Sequence, residues 1–467
     1  MKCRLQNILT VRVAVLMSAV AVALGGCRPF VEVEMLPSGV VEHTLVMYLN
    51  ANNNLAHHIK ANALDAERGM MGALPSTRLV IYLDEAESTT LYEVRYLQYG
   101  SANYVKHTTV LKEYPEQTST SPEVMKSVLE DIKALVPSKS YGLVMGCHGS
   151  GWFPEPDSGL SYDNQKSLPA KGEGSAQGGN SLYDEYPFAF LTMQNTLTRS
   201  MGYDGPYLTK NPEHYFSTAE LVEGFSPIKF EYIIFDACFM ASVEFLYELR
   251  NSADYVIASP VEVWGPGFPY EYIVPLLMGP KHNLVEVCEK IMEVYRTDRN
   301  FSDKASAAVA LVDCSKLAAL TESVAAVWSK VSGGESMSYS EVVELIAAEV
   351  DEKKIQVLDR MRPAGFYDLV DYVEQLALVN NKEVDLTSFK RAFADAVLFA
   401  DNTEEVTSYG YSGSAGSLVQ GFGVIEPKEG SDTFRICGLN CYLLRTTAPV
   451  TQSYYFQTKW AQMVYGL

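Results

Sequence analysis

The chain has 467 residues and a formal net charge of −20, from 37 Lys and Arg against 57 Asp and Glu. Nucleic-acid binding needs a basic face, so this acidic balance argues against a nucleic-acid partner. The charge suits an exported soluble domain and would attract cationic substrates, although solubility alone explains it equally well.

The first 26 residues have the features of an export signal. A basic start precedes an apolar run over residues 13–24, which is too short for a comfortable membrane span. The run closes on Leu-Gly-Gly-Cys, which resembles a bacterial lipobox in which Cys27 becomes the lipidated first residue; an ordinary secretory signal with an incidental Cys is the alternative. Arg28 rather than Asp follows, and by resemblance to lipoprotein sorting rules this favours the outer membrane. We therefore expect an outer-membrane lipoprotein of the bacterial envelope, on either face.

Cysteine usage excludes a fold built on disulfides. Cys3 leaves with the signal and Cys27 is expected to carry lipid, so six cysteines remain. Only Cys437 and Cys441 are close enough in sequence to suggest a local disulfide in an oxidising compartment. The other four are expected to be small buried residues.

Strand and helix patterns alternate from residue 40 onward. In chain order they are an apolar run over 40–49, a helix-like segment over 54–71, an apolar run over 78–83, an alternating stretch over 91–99, a helix capped by Thr120 or Ser121, and an apolar run that ends at His148. The helix is expected to begin with Pro122 in its first turn and a capping box from Thr120 to Glu123. This alternation predicts an α/β fold with a mostly parallel sheet flanked by helices.

The alternation of strand and helix patterns stops over residues 153–215. These residues are rich in Gly, Ser, Asn, Asp and Tyr, and they predict a mobile insert. Ser217 and Glu220 then cap a short helix that leads into an apolar run ending near Cys238. A helix over 242–249, a strand over 255–259 and a Gly-rich turn follow.

The remaining sequence predicts a helical subdomain and then a return to β-like alternation. The expected organisation is a lipoprotein signal peptide over 1–26, a tether over 27–39, a catalytic core over 40–280 with the insert 153–215, a helical subdomain over 281–400, and a β-rich closing segment over 401–467 that packs on the core.

His148 and Cys238 each close a short apolar run, as expected of two buried parallel strands. The carboxyl ends of parallel strands lie at one edge of a sheet, so neighbouring strands would bring imidazole and thiol together. A His partner favours the nucleophilic thiolate at neutral pH. Cys147 points to the opposite face of the strand and is expected only to pack. Taken alone, each residue is more often structural than catalytic, and the joint pattern is what predicts a cysteine peptidase.

Two neighbouring positions suggest further roles. The backbone amides of Gly149 and Cys238 are the natural pair of oxyanion donors, since Gly149 lets a substrate backbone come close. Asp236 lies two residues before Cys238 and projects to the same side of the strand. It is expected either to pair with a basic substrate side chain or to cap the following helix.

The sequence has no motif that indicates another kind of active or binding site. His57 and His58 lie on a helix without further ligands at metal spacing, so no metal site is predicted. The sequence has no GxSxG elbow, no P-loop and no dinucleotide fingerprint. It requires no cofactor; the acidic composition is compatible with calcium binding, but no EF-hand loop supports it.

The motifs HGSGW, FDACFMASVE and ASPVEVWGPGFPY resemble the clostripain family of caspase-like cysteine peptidases, over roughly residues 40–275 with a weaker echo near the carboxyl terminus. The resemblance implies a caspase-like fold, a His148–Cys238 dyad, Asp236 in the primary specificity pocket and cleavage after Arg or Lys. It also implies self-cleavage within the insert, where Lys166 and Lys171 are candidate sites. Glu262 is the acidic residue left near the pocket.

The expected function is therefore a clostripain-type cysteine endopeptidase that acts on proteins or peptides and is held at the membrane by a lipid anchor. The alternative is a non-catalytic surface lipoprotein that uses the same fold to bind proteins or glycans.

Overall fold

The computed structural model describes residues 39–85, 87–99, 103–115, 117–153, 216–279, 281–362, 364–412, 421–447 and 449–467. The predicted signal peptide, the lipid site at Cys27 and nearly all of the insert 153–215 lie outside these residues. Of the described residues, those over 39–96 and from 106 onward belong to one compact unit, and those over 97–105 belong to a second, small unit.

Strands are distributed along the whole described chain. They are β1 Val41–Asn50, β2 Thr77–Asp84, β3 Thr89–Tyr99, β4 Asn103–Tyr114, β5 Ser138–Gly146, β6 Phe230–Asp236, β7 Ala253–Ala258, β8 Ala308–Asp313, β9 Arg360–Arg362, β10 Tyr367–Asp368, β11 Val397–Asn402, β12 Thr407–Ser412, β13 Gly421–Val424 and β14 Asn440–Cys441.

Helices alternate with the strands. They are α1 Ala56–Gly69, α2 Pro122–Leu135, α3 Thr218–Gly224, α4 Val243–Leu249, α5 Tyr270–Leu277, α6 Leu284–Thr297, α7 Leu317–Val331, α8 Tyr339–Glu349, α9 Leu369–Leu376, α10 Thr387–Ala396, α11 Pro449–Tyr455 and α12 Lys459–Tyr465. None of these helices is both long enough and apolar enough to cross a bilayer.

The central sheet has the strand order β11-β8-β7-β6-β5-β1-β2-β3-β4. Its middle is parallel, since β1 pairs in parallel with β2 and β5, and β6 pairs in parallel with β5 and β7. Antiparallel pairs occur toward the edges, where β3 joins β2, β8 joins β7 and β11 joins β8. The predicted fold, a mostly parallel sheet flanked by helices, is confirmed.

The middle strands are buried along nearly their whole length, as parallel strands covered by helices on both faces must be. Every residue of β1 except Glu42 is buried, and so is every residue of β2. Helix α1 packs closely against α5, because a Cβ built at Gly69 would lie only 2.8 Å from the Cβ of Val274. This packing brings side chains of both helices to the end of β6.

The first residues of α2 and α3 agree with the sequence-based prediction, except for the capping box predicted at α2. Ser121 caps α2, with its hydroxyl accepting the Val124 N–H at 3.4 Å, so the capping box from Thr120 is wrong. Ser217 and Glu220 form the predicted capping box of α3.

The C-terminal part of the chain is tied into the central sheet more closely than its helical pattern suggests. Residues 281–400 are largely helical, but they also supply β8 and most of β11, which extend the sheet beyond β7. The buried apolar residues of β8 explain this, since they need cover on both sides. The closing segment adds β12 and β13 to a small sheet with β9, and ends on α11 and α12.

The suggested disulfide between Cys437 and Cys441 is not formed. Both are free thiols. Cys441 belongs to β14 and pairs with Tyr367, while the Cys437 sulfur contacts the backbone of Leu439, accepting its N–H at 3.4 Å. Strand pairing therefore directs the two side chains to different partners.

Candidate active site

The ends of β5 and β6 bring His148 and Cys238 to the same level on neighbouring strands. Gly146 pairs with Asp236 at the last paired position, and each predicted site residue follows two positions later. The two loops stay in contact beyond the strands, since a Cβ built at Gly149 would lie 2.5 Å from the Cys238 carbonyl oxygen. The thiol and the imidazole therefore belong to one site at the carboxyl edge of the parallel strands.

A sharp turn after β6 holds Cys238. Its sulfur accepts the Val263 N–H at 3.2 Å. The next residue, Phe239, has a φ of 59°, in the left-handed region that costs energy for a residue with a large side chain. Its ring is stacked on Phe366 at a centroid distance of 4.1 Å, and its N–H donates to the Val261 carbonyl at 3.0 Å. These contacts stabilise the turn and fix the direction of the thiol.

Asn54 orients the imidazole of His148. The Asn54 side-chain oxygen lies 2.7 Å from His148 Nε2. An amide oxygen only accepts, so Nε2 carries the proton and Nδ1 is the unprotonated nitrogen of the neutral ring. The sequence pattern predicts a helix from Asn54, but α1 begins at Ala56 and leaves Asn54 in the turn after β1. That turn is braced by Asn53, which bonds to the Asn50 carbonyl at 2.7 Å and the Leu55 N–H at 2.8 Å.

We expect Asn54→Ala to lower kcat/KM by about 10- to 100-fold, because a hydrogen bond to an imidazole that becomes charged is worth about 1.5–3 kcal/mol. Asn54→Asp keeps an acceptor and adds a negative charge, so it should retain more activity and raise the apparent pKa of His148. The pH profile of kcat/KM for both variants checks this. Wild-type activity in Asn54→Ala would show that Asn54 does not contribute to catalysis.

Gly149 and Gly151 are positions where a side chain does not fit. A Cβ at Gly149 would also lie 2.8 Å from Ala237 Cβ, and one at Gly151, where φ is 61°, would lie 2.9 Å from the Phe239 carbonyl oxygen. The backbone of the His148 loop thus packs directly on the Cys238 turn. The oxyanion role of the Gly149 and Cys238 amides stays a prediction.

Asp236 is fully buried at the end of β6, below the Gly-rich turn that begins at Trp264. Asn62 of α1 and Tyr270 of α5 donate to its carboxylate at 3.2 and 2.9 Å. A Cβ at Gly267 would lie 2.2 Å from one carboxylate oxygen and 2.8 Å from the other, so only glycine fits there. The alternative role as a helix cap is wrong, because Ser242 is the N-cap of α4.

Glu262 lies on the loop between β7 and α5, with its carboxylate directed at β12. It accepts the Ser408 hydroxyl and the Tyr409 N–H, both at 2.8 Å. Burial raises the pKa of Glu262 to about 7. These bonds join β12 to the loop beside the site, and the substrate-binding role of Glu262 stays a prediction.

The two central side chains are closed off from solvent. Cys238 is 0% exposed and His148 is 1% exposed.

Comparison with known proteins identifies relatives of this chain. A family model described as "Clostripain family" matches residues 188–463. Clostripain of Hathewaya histolytica is 24% identical over 259 residues, which is 49% of this chain and 41% of the relative, so the chain spans about two fifths of that relative's length.

Solved structures share the fold. A secreted C11 cysteine protease from Bacteroides thetaiotaomicron, in complex with an irreversible peptide inhibitor, has a TM-score of 0.64 at 22% identity and covers 91% of this chain and 98% of its own. An inactive zymogen C11 protease from Parabacteroides distasonis has a TM-score of 0.64 at 21% identity, with 92% and 99% covered.

The resemblance seen in the sequence motifs is thereby confirmed, and it extends further toward the carboxyl terminus than the motifs indicate. The family model covers more than half of the chain, including the Cys238 strand, β8, β11 and the small sheet. On this match, the chain belongs to the clostripain family of cysteine peptidases.

Proposed function

We propose that this chain is a cysteine endopeptidase in which Cys238 is the nucleophile and His148 the general base and acid. The observation that carries the proposal is the juxtaposition of these residues on neighbouring parallel strands, with the imidazole held by Asn54. His148 Nδ1 takes the thiol proton, the sulfur attacks the scissile carbonyl, and the same proton passes to the leaving amine. Water then hydrolyses the thioester.

The backbone amides of Gly149 and Cys238 are proposed to hold the oxyanion. Gly149 lies against the Cys238 carbonyl, which supports a shared backbone surface at the point where a substrate carbonyl would arrive. Fixed N–H donors at such a point stabilise the developing negative charge without reorganisation.

The proposed specificity is for Arg or Lys before the scissile bond. Asp236 supports it, because this carboxylate is buried two residues before Cys238 and accepts hydrogen bonds from the neutral side chains of Asn62 and Tyr270. A buried carboxylate is best satisfied by a cation with hydrogen-bond donors.

A panel of fluorogenic peptides tests activity and specificity together. The peptides share one sequence and differ only in Arg, Lys, Asp or Leu before the reporter group. Hydrolysis of the Arg and Lys peptides, and its block by a thiol-alkylating peptide, is the expected result. Absence of hydrolysis of every peptide and of an unfolded protein substrate would favour the non-catalytic binding alternative. Parallel assays with a calcium chelator or added calcium test the calcium requirement.

The export proposal rests on the Leu-Gly-Gly-Cys sequence. We expect the mature amino terminus to be a lipidated Cys27, because the charge, the apolar run and the small-residue site before Cys27 agree. Mass spectrometry of the amino-terminal peptide from outer-membrane fractions checks this. Cys27→Ser should leave the membrane fraction, and an unmodified residue other than Cys27 at the terminus would contradict the proposal.

A further inference from the structure

A second cluster of polar side chains lies at the amino-terminal ends of the central strands. His43 of β1, Glu231 of β6 and His282, just before α6, each offer a ligand atom, and the three atoms lie within 4.8 Å of one another. Strand β1 rises about 3.3 Å per residue, so His43 is roughly 20 Å from the opposite edge where Asn54 meets His148. This cluster is therefore separate from the peptidase site.

The distances suit a small divalent cation. His282 Nδ1 lies 3.0 Å from one oxygen of Glu231, and His43 Nδ1 lies 3.8 Å from the other. Tetrahedral zinc with metal–ligand bonds of about 2.0–2.1 Å needs ligand atoms about 3.3 Å apart, between these two values. The His43 and His282 rings are 4.0 Å apart at 46°, so both imidazoles already converge on the carboxylate. Two His and one Glu form a ligand set typical of zinc.

The surroundings of His43 are compatible with the tautomer that binds metal. Its Nε2 lies 2.9 Å from the Tyr232 hydroxyl, which can accept the Nε2 proton and leave the Nδ1 lone pair directed at the cluster. Tyr232 reaches across β5 because Gly142 has no side chain; a Cβ there would lie 2.2 Å from the Tyr232 ring. The Ser140 hydroxyl lies 2.8 Å from His43 Nδ1 and is placed to serve as a further ligand.

Burial and charge favour the same reading. His43 is 2% exposed, so a cation bound beside it would be largely shielded from water. The Glu231 side chain is 35% exposed, so the cluster has a path from solvent. The carboxylate supplies one negative charge to a cation that would otherwise meet two neutral ligands.

We propose that His43, Glu231 and His282 form a zinc-type divalent metal site that ties β1, β6 and the start of α6 together at the edge of the sheet opposite the peptidase site. Bound metal stabilises the folded chain in proportion to its occupancy, since the three ligands come together only on folding. No sequence motif marks this site, because successive ligands are 188 and 51 residues apart along the chain.

The test uses the full chain as Cys238→Ala, without a polyhistidine tag, so that zinc cannot bind the peptidase thiol. After treatment with a chelator, the protein is titrated with Zn²⁺ by calorimetry and its melting temperature is measured with and without Zn²⁺. We expect about one tight ion per chain and a rise of a few degrees in melting temperature.

Matched variants in the same background assign the ion. His282→Ala is expected to weaken binding by at least about 100-fold and to abolish the thermal shift, and Tyr232→Phe to weaken binding by about 10- to 100-fold. His57→Ala removes an exposed histidine of α1 and should bind as the parent does. Absence of a tight ion, or equal binding by the parent and His282→Ala, would overturn the proposal whatever the peptidase assays show.

Discussion

Replacing Cys238 by Ala is expected to lower kcat/KM by at least about 10⁴-fold, because the variant has no nucleophile and the remaining groups can only bind and polarise the substrate. The fold should survive, since the substitution removes one sulfur atom and its hydrogen bonds with the Val263 backbone. That loss should cost about 1–3 kcal/mol of unfolding free energy, within reach of a stable domain of this size. Rates on the best peptide of the panel, with denaturant unfolding of the same samples, measure both effects.

Cys147→Ala is the matched control. Cys147 is as buried as Cys238 and directly precedes His148, but it lies at the end of β5 rather than in the Cys238 turn. It should keep activity within a few-fold of wild type while losing a similar volume from the core. Equal activity of wild type and Cys238→Ala, or equal loss in the two variants, would show that Cys238 is not the nucleophile.

The parallel core could be predicted because each of its strands is a short apolar run bounded by polar residues. Burial on both faces of β1, β2 and β6 demands such runs, and the crossover rule then places consecutive strands in one sheet. The same reasoning placed His148 and Cys238 at one edge. Because helices connect these strands, a parallel sheet was the arrangement that the pattern favoured.

The partners of the site residues could not be predicted in the same way. Asn54 and Asn62 lie 94 and 174 residues before the side chains that they contact, and no local pattern distinguishes them from other polar residues near a helix. Asn54 is one of three consecutive asparagines in a turn, where side-chain bonding to nearby backbone is the usual role. Only the three-dimensional fold shows that its amide turns toward His148.

The sequence pattern did not predict β8 and β11 as strands, because both lie among helical patterns. Each is a six-residue strand between longer helical patterns, and a short apolar run of that kind fits a buried helix segment equally well. The structure shows that β8 is a strand, because it pairs antiparallel with β7 and extends the sheet on that side. Strand β7 is the one that leads into the loop carrying Glu262. The C-terminal part thereby supports the loop, and β12 bonds to it directly through Glu262.

Asp236→Asn is expected to lower kcat/KM on the Arg peptide by about 30- to 5000-fold, and to leave the Leu peptide nearly unchanged. Truncating the charge of a buried, hydrogen-bonded ion pair costs about 2–5 kcal/mol, and most of that cost is the substrate cation left without its partner. The amide of Asn can still accept the Tyr270 hydroxyl, so the local structure should persist. Rates on the Arg, Lys and Leu peptides give the ratio that measures specificity.

Glu262→Gln separates a specificity carboxylate from a structural one. Glu262 is buried like Asp236, but the Ser408 hydroxyl and the Tyr409 N–H that donate to it belong to β12. A structural role predicts that Glu262→Gln changes rates on the Arg and Leu peptides by the same factor, because it alters the loop and not the pocket charge. A selective loss on Arg in Glu262→Gln, with none in Asp236→Asn, would move the basic specificity from Asp236 to Glu262. A preference for Asp or Leu peptides in the wild type would contradict basic specificity at either position.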